Sequence, residues 1–255
     1  MGEKLWYGAY KYPYDPSNAC FYNPADFKWA TDIEQQWDKI KPEVQQLIEE
    51  QDRNFISNES LYKGVGSGKG WSSLSAMFWG LKVSDSIAKK CPTLFGLLNK
   101  IPGLTSVSFS RLAPNTTIPE HHGETNAIMR CHLGIEVPRT LPECGLRSGT
   151  ETLGWAEGKW LFFNDAQHHS AWNNTDKRRI VLIIDVIRPE FLYQKNLICA
   201  KILTAHFITA NANKGGMMKN ASRSVKNIVF VLALPLVYVM RPLYNMLGLN
   251  KMYHE

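Results

Sequence analysis

Leu104–Arg111 (LTSVSFSR), Asn126–Val137 (NAIMRCHLGIEV), Cys144–Ser148 (CGLRS), Lys159–Asn164 (KWLFFN) and Arg179–Ile187 (RIVLIIDVI) are the stretches that decide the fold. Each is rich in β-branched or aromatic residues and is bounded by Pro, Gly or Asn, the composition of strands separated by turns. They follow one another at close intervals with no helical pattern between them, which predicts an antiparallel sandwich or barrel and not a parallel α/β sheet. Outward from this core, residues 24–52 read as helical. Asn23-Pro24 is a cap and first-turn signal, Ile33, Trp37 and Ile40 share a face, and a restart at Pro42 leads to Val44, Leu47 and Ile48. A further short helix is predicted over Pro92–Asn99, closing a helical first third. The expected fold class is α+β with a mainly β core: N-terminal helices over 1–100, a jelly roll over 101–190, and a separate helical, partly apolar tail over 191–255.

A chain of 255 residues with 44% hydrophobic and 20% charged residues can bury a full core, and it excludes disorder or a collagen-like repeat as the main theme. The formal charge of +6 is unevenly placed: residues 191–255 hold eight Lys or Arg and one acid, a net +7, which leaves −1 for residues 1–190. A near-neutral body offers no phosphate-binding face, so nucleic acid is not an expected partner. The tail contains Ile228–Met240 (IVFVLALPLVYVM), thirteen consecutive apolar positions counting Pro235. As a helix this run reaches only ~20 Å, short of a ~30 Å hydrocarbon core, so an interfacial or re-entrant helix flanked by Lys226 and Arg241 is expected. A buried helix packed on the domain is the alternative. Five scattered cysteines without Cys-x-x-Cys argue against a disulfide scaffold or structural zinc, and MGEKLWYGAY lacks the apolar centre of a signal peptide. Together these place the protein at a membrane on its reducing, cytoplasmic side. The glycine-rich segment 63–70 (KGVGSGKG) misses the phosphate-loop spacing by one residue and reads as a loop or lid.

Alternation in Asn126–Leu133 puts Arg130 and His132 on one face and Met129, Cys131 and Leu133 on the other. A guanidinium and an imidazole pointing into a barrel call for an anion. His169 and Arg179 flank the turn-forming Asn173-Asn174-Thr175-Asp176, and a hairpin there would bring them side by side. A histidine on a metal beside an arginine suits a chelating dicarboxylate, with His121 as the second ligand; imidazoles with open coordination positions suit Fe(II) and oxygen chemistry. One histidine spacing alone is weak, and His122, His168, His206 and His254 read as surface or structural residues.

The ordered pattern Ser110-Arg-Leu-Ala-Pro, Ile118-Pro-Glu-His121-His-Gly123-Glu-Thr-Asn126, Arg130-Cys-His132-Leu-Gly134, Trp155-Ala-Glu-Gly-Lys159, Phe163-Asn-Asp165, His169-Ser-Ala-Trp172, Arg179 and Asp185 to Pro189 resembles the aspartyl/asparaginyl β-hydroxylase family. The resemblance implies a double-stranded β-helix (cupin-like) and an Fe(II)- and 2-oxoglutarate-dependent dioxygenase using O2. It implies iron on His121 and His169, the far carboxylate of 2-oxoglutarate on Arg179 and Ser110, and a cosubstrate pocket completed by Arg130 and His132. Gly123 stands where most such enzymes carry a carboxylate ligand, leaving water, Glu124 or Asp165 to fill that position. The His-x-Gly signature favours hydroxylation of peptidyl Asp or Asn, whereas the tail resembles the lipid A and ornithine-lipid hydroxylases. A non-catalytic binding domain is the third alternative.

Overall fold

The computed structural model describes residues 4–7, 18–58, 70–213 and 215–248. The helices are α1 (Lys28–Gln35), α2 (Trp37–Glu50), α3 (Asp85–Lys90), α4 (Pro92–Leu98), α5 (Lys195–Asn213) and α6 (Arg223–Leu247). The strands are β1 (Phe21–Tyr22), β2 (Ile56–Ser57), β3 (Trp71–Phe78), β4 (Leu81–Lys82), β5 (Leu104–Leu112), β6 (Thr116–His121), β7 (Ile128–Glu136), β8 (Cys144–Ser148), β9 (Glu151–Leu153), β10 (Trp160–Phe163), β11 (His169–Asn173) and β12 (Arg179–Ile187). A large sheet runs β1-β10-β7-β12-β5-β3-β2, with β4 on β3, and a small sheet runs β6-β11-β8-β9. From β5 to β12 the chain alternates between the two sheets at every step except the β8–β9 hairpin. This is the winding of a double-stranded β-helix.

Period-two alternation sorts each strand of the large sheet into two environments. Ile180, Leu182 and Ile184 of β12, Cys131, Leu133 and Ile135 of β7, and Val107 and Phe109 of β5 face outward. There they meet Ile33, Ile40, Val44, Leu47, Leu94 and Leu98 of the amphipathic helices, in the main hydrophobic core. The inward residues divide by depth. Leu112, Leu146, Trp155, Leu161, Phe163 and Val181 fill the barrel, while Ser110, His132, His169, Arg179 and Asp185 leave buried polar groups inside it. A third cluster joins α5, through Ile198, Cys199, Ile202 and Leu203, to Trp79, Ile128, Ile187 and Phe191.

Several expectations need correction. The first third is not wholly helical, because Trp71–Phe78 is a strand of the large sheet; serines on both of its faces blur the alternation that would mark it. The break between α1 and α2 falls at Gln36 and Pro42 lies within α2. His169 and Arg179 are not joined by a hairpin: β11 pairs with β6 and β8, and β12 with β5 and β7. Asn173 Nδ2 donates to the carbonyls of Leu112, Ala113 and Lys177, turning the chain from one sheet to the other. The glycine-rich segment at 63–69 lies outside the described residues. The apolar tail run belongs to a 25-residue helix, long and apolar enough by composition to cross a membrane and mostly exposed, so it is not the buried helix of the alternative.

Gly134 in β7 donates its N–H to the Lys159 carbonyl, and a Cβ there would overlap the carbonyl oxygen of Ala156. Backbone cannot rotate away as a side chain can. Gly134→Ala is therefore expected to cost about 1–3 kcal/mol, lowering Tm by roughly 2–10 °C in a calorimetric scan; an unchanged Tm would show that the 156–159 segment is not held against β7.

Candidate active site

His121 closes β6 and His169 opens β11, opposite each other in the small sheet. Their ring centroids are 4.2 Å apart. Each ring is oriented by its own chain: His121 Nδ1 lies 2.8 Å from the Pro119 carbonyl and His169 Nδ1 2.9 Å from that of Gln167. A carbonyl only accepts, so both protons sit on Nδ1 and both lone pairs on Nε2, the tautomer a metal requires. Burial lowers both pKa values, that of His169 well below the ordinary range, with His121 adding to the effect. The imidazoles therefore stay neutral.

Beside them runs a chain of buried charges. Arg130 Nη1 is 2.7 Å from Asp165 Oδ1, and its Nε and Nη2 donate to the two oxygens of Asp185 at 2.7 and 3.0 Å. Asp165 Oδ1 is also 3.6 Å from His169 Nε2. Burial raises the Asp165 pKa and Arg130 opposes that rise. A Cβ built on Gly123 would fall inside the Asp165 carboxylate, and the Gly123 N–H donates to the Asp165 carbonyl at 2.6 Å. The space of a residue-123 side chain is thus occupied by Asp165. Among the described residues no group of three or more His, Cys, Asp or Glu is arranged to hold a metal, leaving a two-histidine pair with a carboxylate beside it.

Arg179 is treated differently. It is 1% exposed, its guanidinium lies 4.5 Å from the Trp155 ring, and Nε and Nη1 are buried without a hydrogen-bond partner. Burial lowers its pKa to about 10, with the Cys144 thiol as its polar neighbour. Trp155 Nε1 donates to His132 Nδ1 at 3.2 Å, which puts the His132 proton on Nε2, also buried and unpartnered. Burial, with the charges of Arg179 and Arg130, keeps His132 neutral. Ser110 Oγ, buried on β5, accepts from Trp71 Nε1 at 3.0 Å. Among the described residues, Arg179 Nε and Nη1 and His132 Nε2 are thus buried donors without a partner, a set that a small carboxylate could satisfy.

All six residues expected at the site line this interior, but Arg130 already has its anion in Asp165 and Asp185. Glu124 pairs with His206 of α5 at 2.8 Å, away from the histidine pair. His122 and His168 face each other on the outside, ring centroids 5.5 Å apart. His254 is outside the described residues. From sequence, Trp71 and Trp155 read as core or interface packing with one or two tryptophans lining the cleft, and Trp155 and Asp185 enter only as members of the family pattern. The place of Asp185 follows from the odd-numbered face of β12 that it shares with Arg179; the contacts of Trp155, from an irregular loop, do not follow from any period.

The winding of the two sheets defines a double-stranded β-helix of the cupin-like class. The chain belongs to the aspartyl/asparaginyl β-hydroxylase family, whose sequence profile matches residues 34–189. It is 34% identical over 174 residues to the ornithine lipid ester-linked acyl 2-hydroxylase of Rhizobium tropici, covering 68% of this chain and 62% of that one. It is 29% identical over 168 residues to the human aspartyl/asparaginyl beta-hydroxylase, covering 64% of this chain and 21% of that one. It thus spans less than two thirds of either relative. A cupin domain of a transcriptional regulator from Enterobacter cloacae aligns at 9% identity with a TM-score of 0.33, over 47% of this chain and 99% of that domain.

The shared space at Gly123 has a direct consequence. Gly123→Asp alone places two carboxylates in one volume and is expected to cost about 1–3 kcal/mol; adding Asp165→Gly should recover most of the loss, a non-additivity readable by urea denaturation. Additive losses would mean that the two positions do not compete.

Proposed function

We propose that the protein is an Fe(II)- and 2-oxoglutarate-dependent hydroxylase acting on an unactivated C–H of a membrane-lipid acyl chain. The observation that carries the cosubstrate is Arg179: a guanidinium buried in the same barrel as two metal-ready histidines, and in no ion pair among the described residues, fits a small dicarboxylate. His121 and His169 would hold the metal, Arg179 and Ser110 the far carboxylate, and the His132 Nε2–H a further oxygen. Bound together, iron and 2-oxoglutarate would supply from O2 the oxidant for hydroxylation, with succinate and CO2 as co-products.

The chain's own groups orient and exclude. Trp155 does both, covering the Arg179 guanidinium and fixing the His132 tautomer. Trp71 occupies an acceptor position of Ser110, which directs the serine proton elsewhere, and its ring lies 6.2 Å from that of His121. The Arg130–Asp185 fork fixes Arg130, which in turn holds Asp165 beside His169.

The lipid reading is supported by α6. Its outward residues Ile228, Val231, Leu232, Leu236, Val239, Leu243 and Met246 are exposed, an apolar surface larger than isolated hydrophobic residues on a soluble protein explain. Membrane attachment through residues 191–255, with 1–190 as the catalytic part, follows from the same feature. Peptidyl Asp or Asn is the second reading, favoured by the glycine at position 123.

Two measurements test these readings. With Mn(II) present, 2-oxoglutarate at about 100 times Kd should stabilise the wild type by about 2.7 kcal/mol, and Arg179→Met should abolish that gain. The same variant, relieved of an unpaired buried cation, is expected to be more stable than the wild type without ligand, by about 1–3 kcal/mol. With Fe(II), succinate formation should rise with lipid vesicles and mass spectrometry should find one added oxygen on an acyl chain. Stimulation by Asp- or Asn-containing peptides alone would favour the second reading, and failure of 2-oxoglutarate to stabilise the wild type would remove both.

A further inference from the structure

Among the described residues, two arginines are buried without an acid. Arg179 belongs to the site above; the other is Arg241, 9% exposed and the one charged residue of α6 beyond Lys226. It turns away from the apolar outer surface of its helix toward the body of the protein. Its Nη2 donates to Asn196 Oδ1 at 2.5 Å and its Nη1 to the Trp79 carbonyl at 3.4 Å, while Nε is buried with no partner. Gly80, held at φ +74, leaves space for the guanidinium where a Cβ would collide with it.

Among the described residues, the surroundings add positive charge and no carboxylate. Lys195, one turn before Cys199 on α5, is half-buried, and burial together with the charge of Arg241 holds its ammonium below the usual lysine range despite the opposing effect of Cys199. The Cys199 thiol interacts with both cations. Tyr7 packs against the cluster that contains Cys199; its hydroxyl is buried without a partner, and burial and Cys199 raise its pKa to about 12. Among the described residues, no ion pair involves Arg241 or Lys195. Neutral acceptors only partly offset the cost of burying a guanidinium.

We infer that Arg241, Lys195 and Tyr7, gathered around Cys199 between α5, α6 and the turn at Gly80, form a site for one oxyanion, and that its occupant is the phosphate or carboxylate of a membrane-lipid headgroup. The source is argued from α6 itself. The helix that supplies the guanidinium carries the exposed apolar surface, and a bilayer receiving that surface brings headgroup oxyanions to its edge. The inference rests on the membrane reading of α6 and adds to it a headgroup preference.

The full chain is tested by co-sedimentation with vesicles of phosphatidylcholine alone or with about a third phosphatidylglycerol. At about 0.5 M KCl the Debye length is under about 5 Å, which removes the contribution of exposed lysines. The wild type is expected to bind the phosphatidylglycerol vesicles at least about fivefold more tightly, the scale of one basic side chain at a lipid surface. Lys195→Gln and Arg241→Gln should each lose most of this preference without losing phosphatidylcholine binding, while Lys219→Gln, on the exposed connection between the helices, should keep it. If Arg241→Gln does not fold, Lys195→Gln carries the test. A preference retained by Lys195→Gln and Arg241→Gln overturns the site. Thermal stabilisation by inorganic phosphate with equal binding to both vesicles overturns the lipid source, and no binding to either vesicle overturns the membrane reading beneath it.

Discussion

A guanidinium sealed inside a β barrel with no carboxylate to meet it is the constraint around which the rest of the molecule is arranged. Arg179 is held by packing and not by charge: the Trp155 ring covers its face, and β12 fixes its backbone between β5 and β7. Arg130, on the neighbouring strand, is given two acids. The contrast separates a cation neutralised from within from one that has no ion pair among the described residues. A barrel interior committed to polar groups at one end cannot be the main source of hydrophobic stabilisation, and here the largest apolar cluster lies outside the barrel, between the large sheet and the N-terminal helices.

The same division governs the metal side. Backbone carbonyls fix both histidine tautomers, so metal-ready geometry does not depend on any mobile side chain. Asp165 fills the volume that a side chain at position 123 would need. A glycine in the ligand motif therefore moves the local carboxylate to another strand connection without emptying the site of negative charge.

The strands that carry the site were legible because their chemistry repeats with a period of two: polar Arg130 and His132 alternate with apolar Met129, Cys131 and Leu133, and Arg179 and Asp185 alternate with Ile180 and Ile184. Connections between sheets were not legible in this way. Asn173 and Asn174 look like a hairpin because the same residues favour tight turns and the longer crossover used here, and only the distant carbonyls of Leu112 and Ala113 decide between them. Trp71–Phe78 was hidden by serines on both faces, and the contacts of Trp155 with Arg179 and His132 by a loop with no period at all. The length of α6 was underestimated because the apolar run stops at Arg241, whereas the helix continues with that arginine turned inward.

The central claim is a metal on two histidines facing a carboxylate on Arg179. Diffraction from crystals soaked without oxygen in Mn(II) and 2-oxoglutarate, recorded with the anomalous signal of manganese, tests it most directly. One anomalous peak within coordination distance of His121 Nε2 and His169 Nε2 is expected, with dicarboxylate density running from it to Arg179 and Ser110. A peak elsewhere, or an Arg179 guanidinium still without an anion at saturating 2-oxoglutarate, would contradict it.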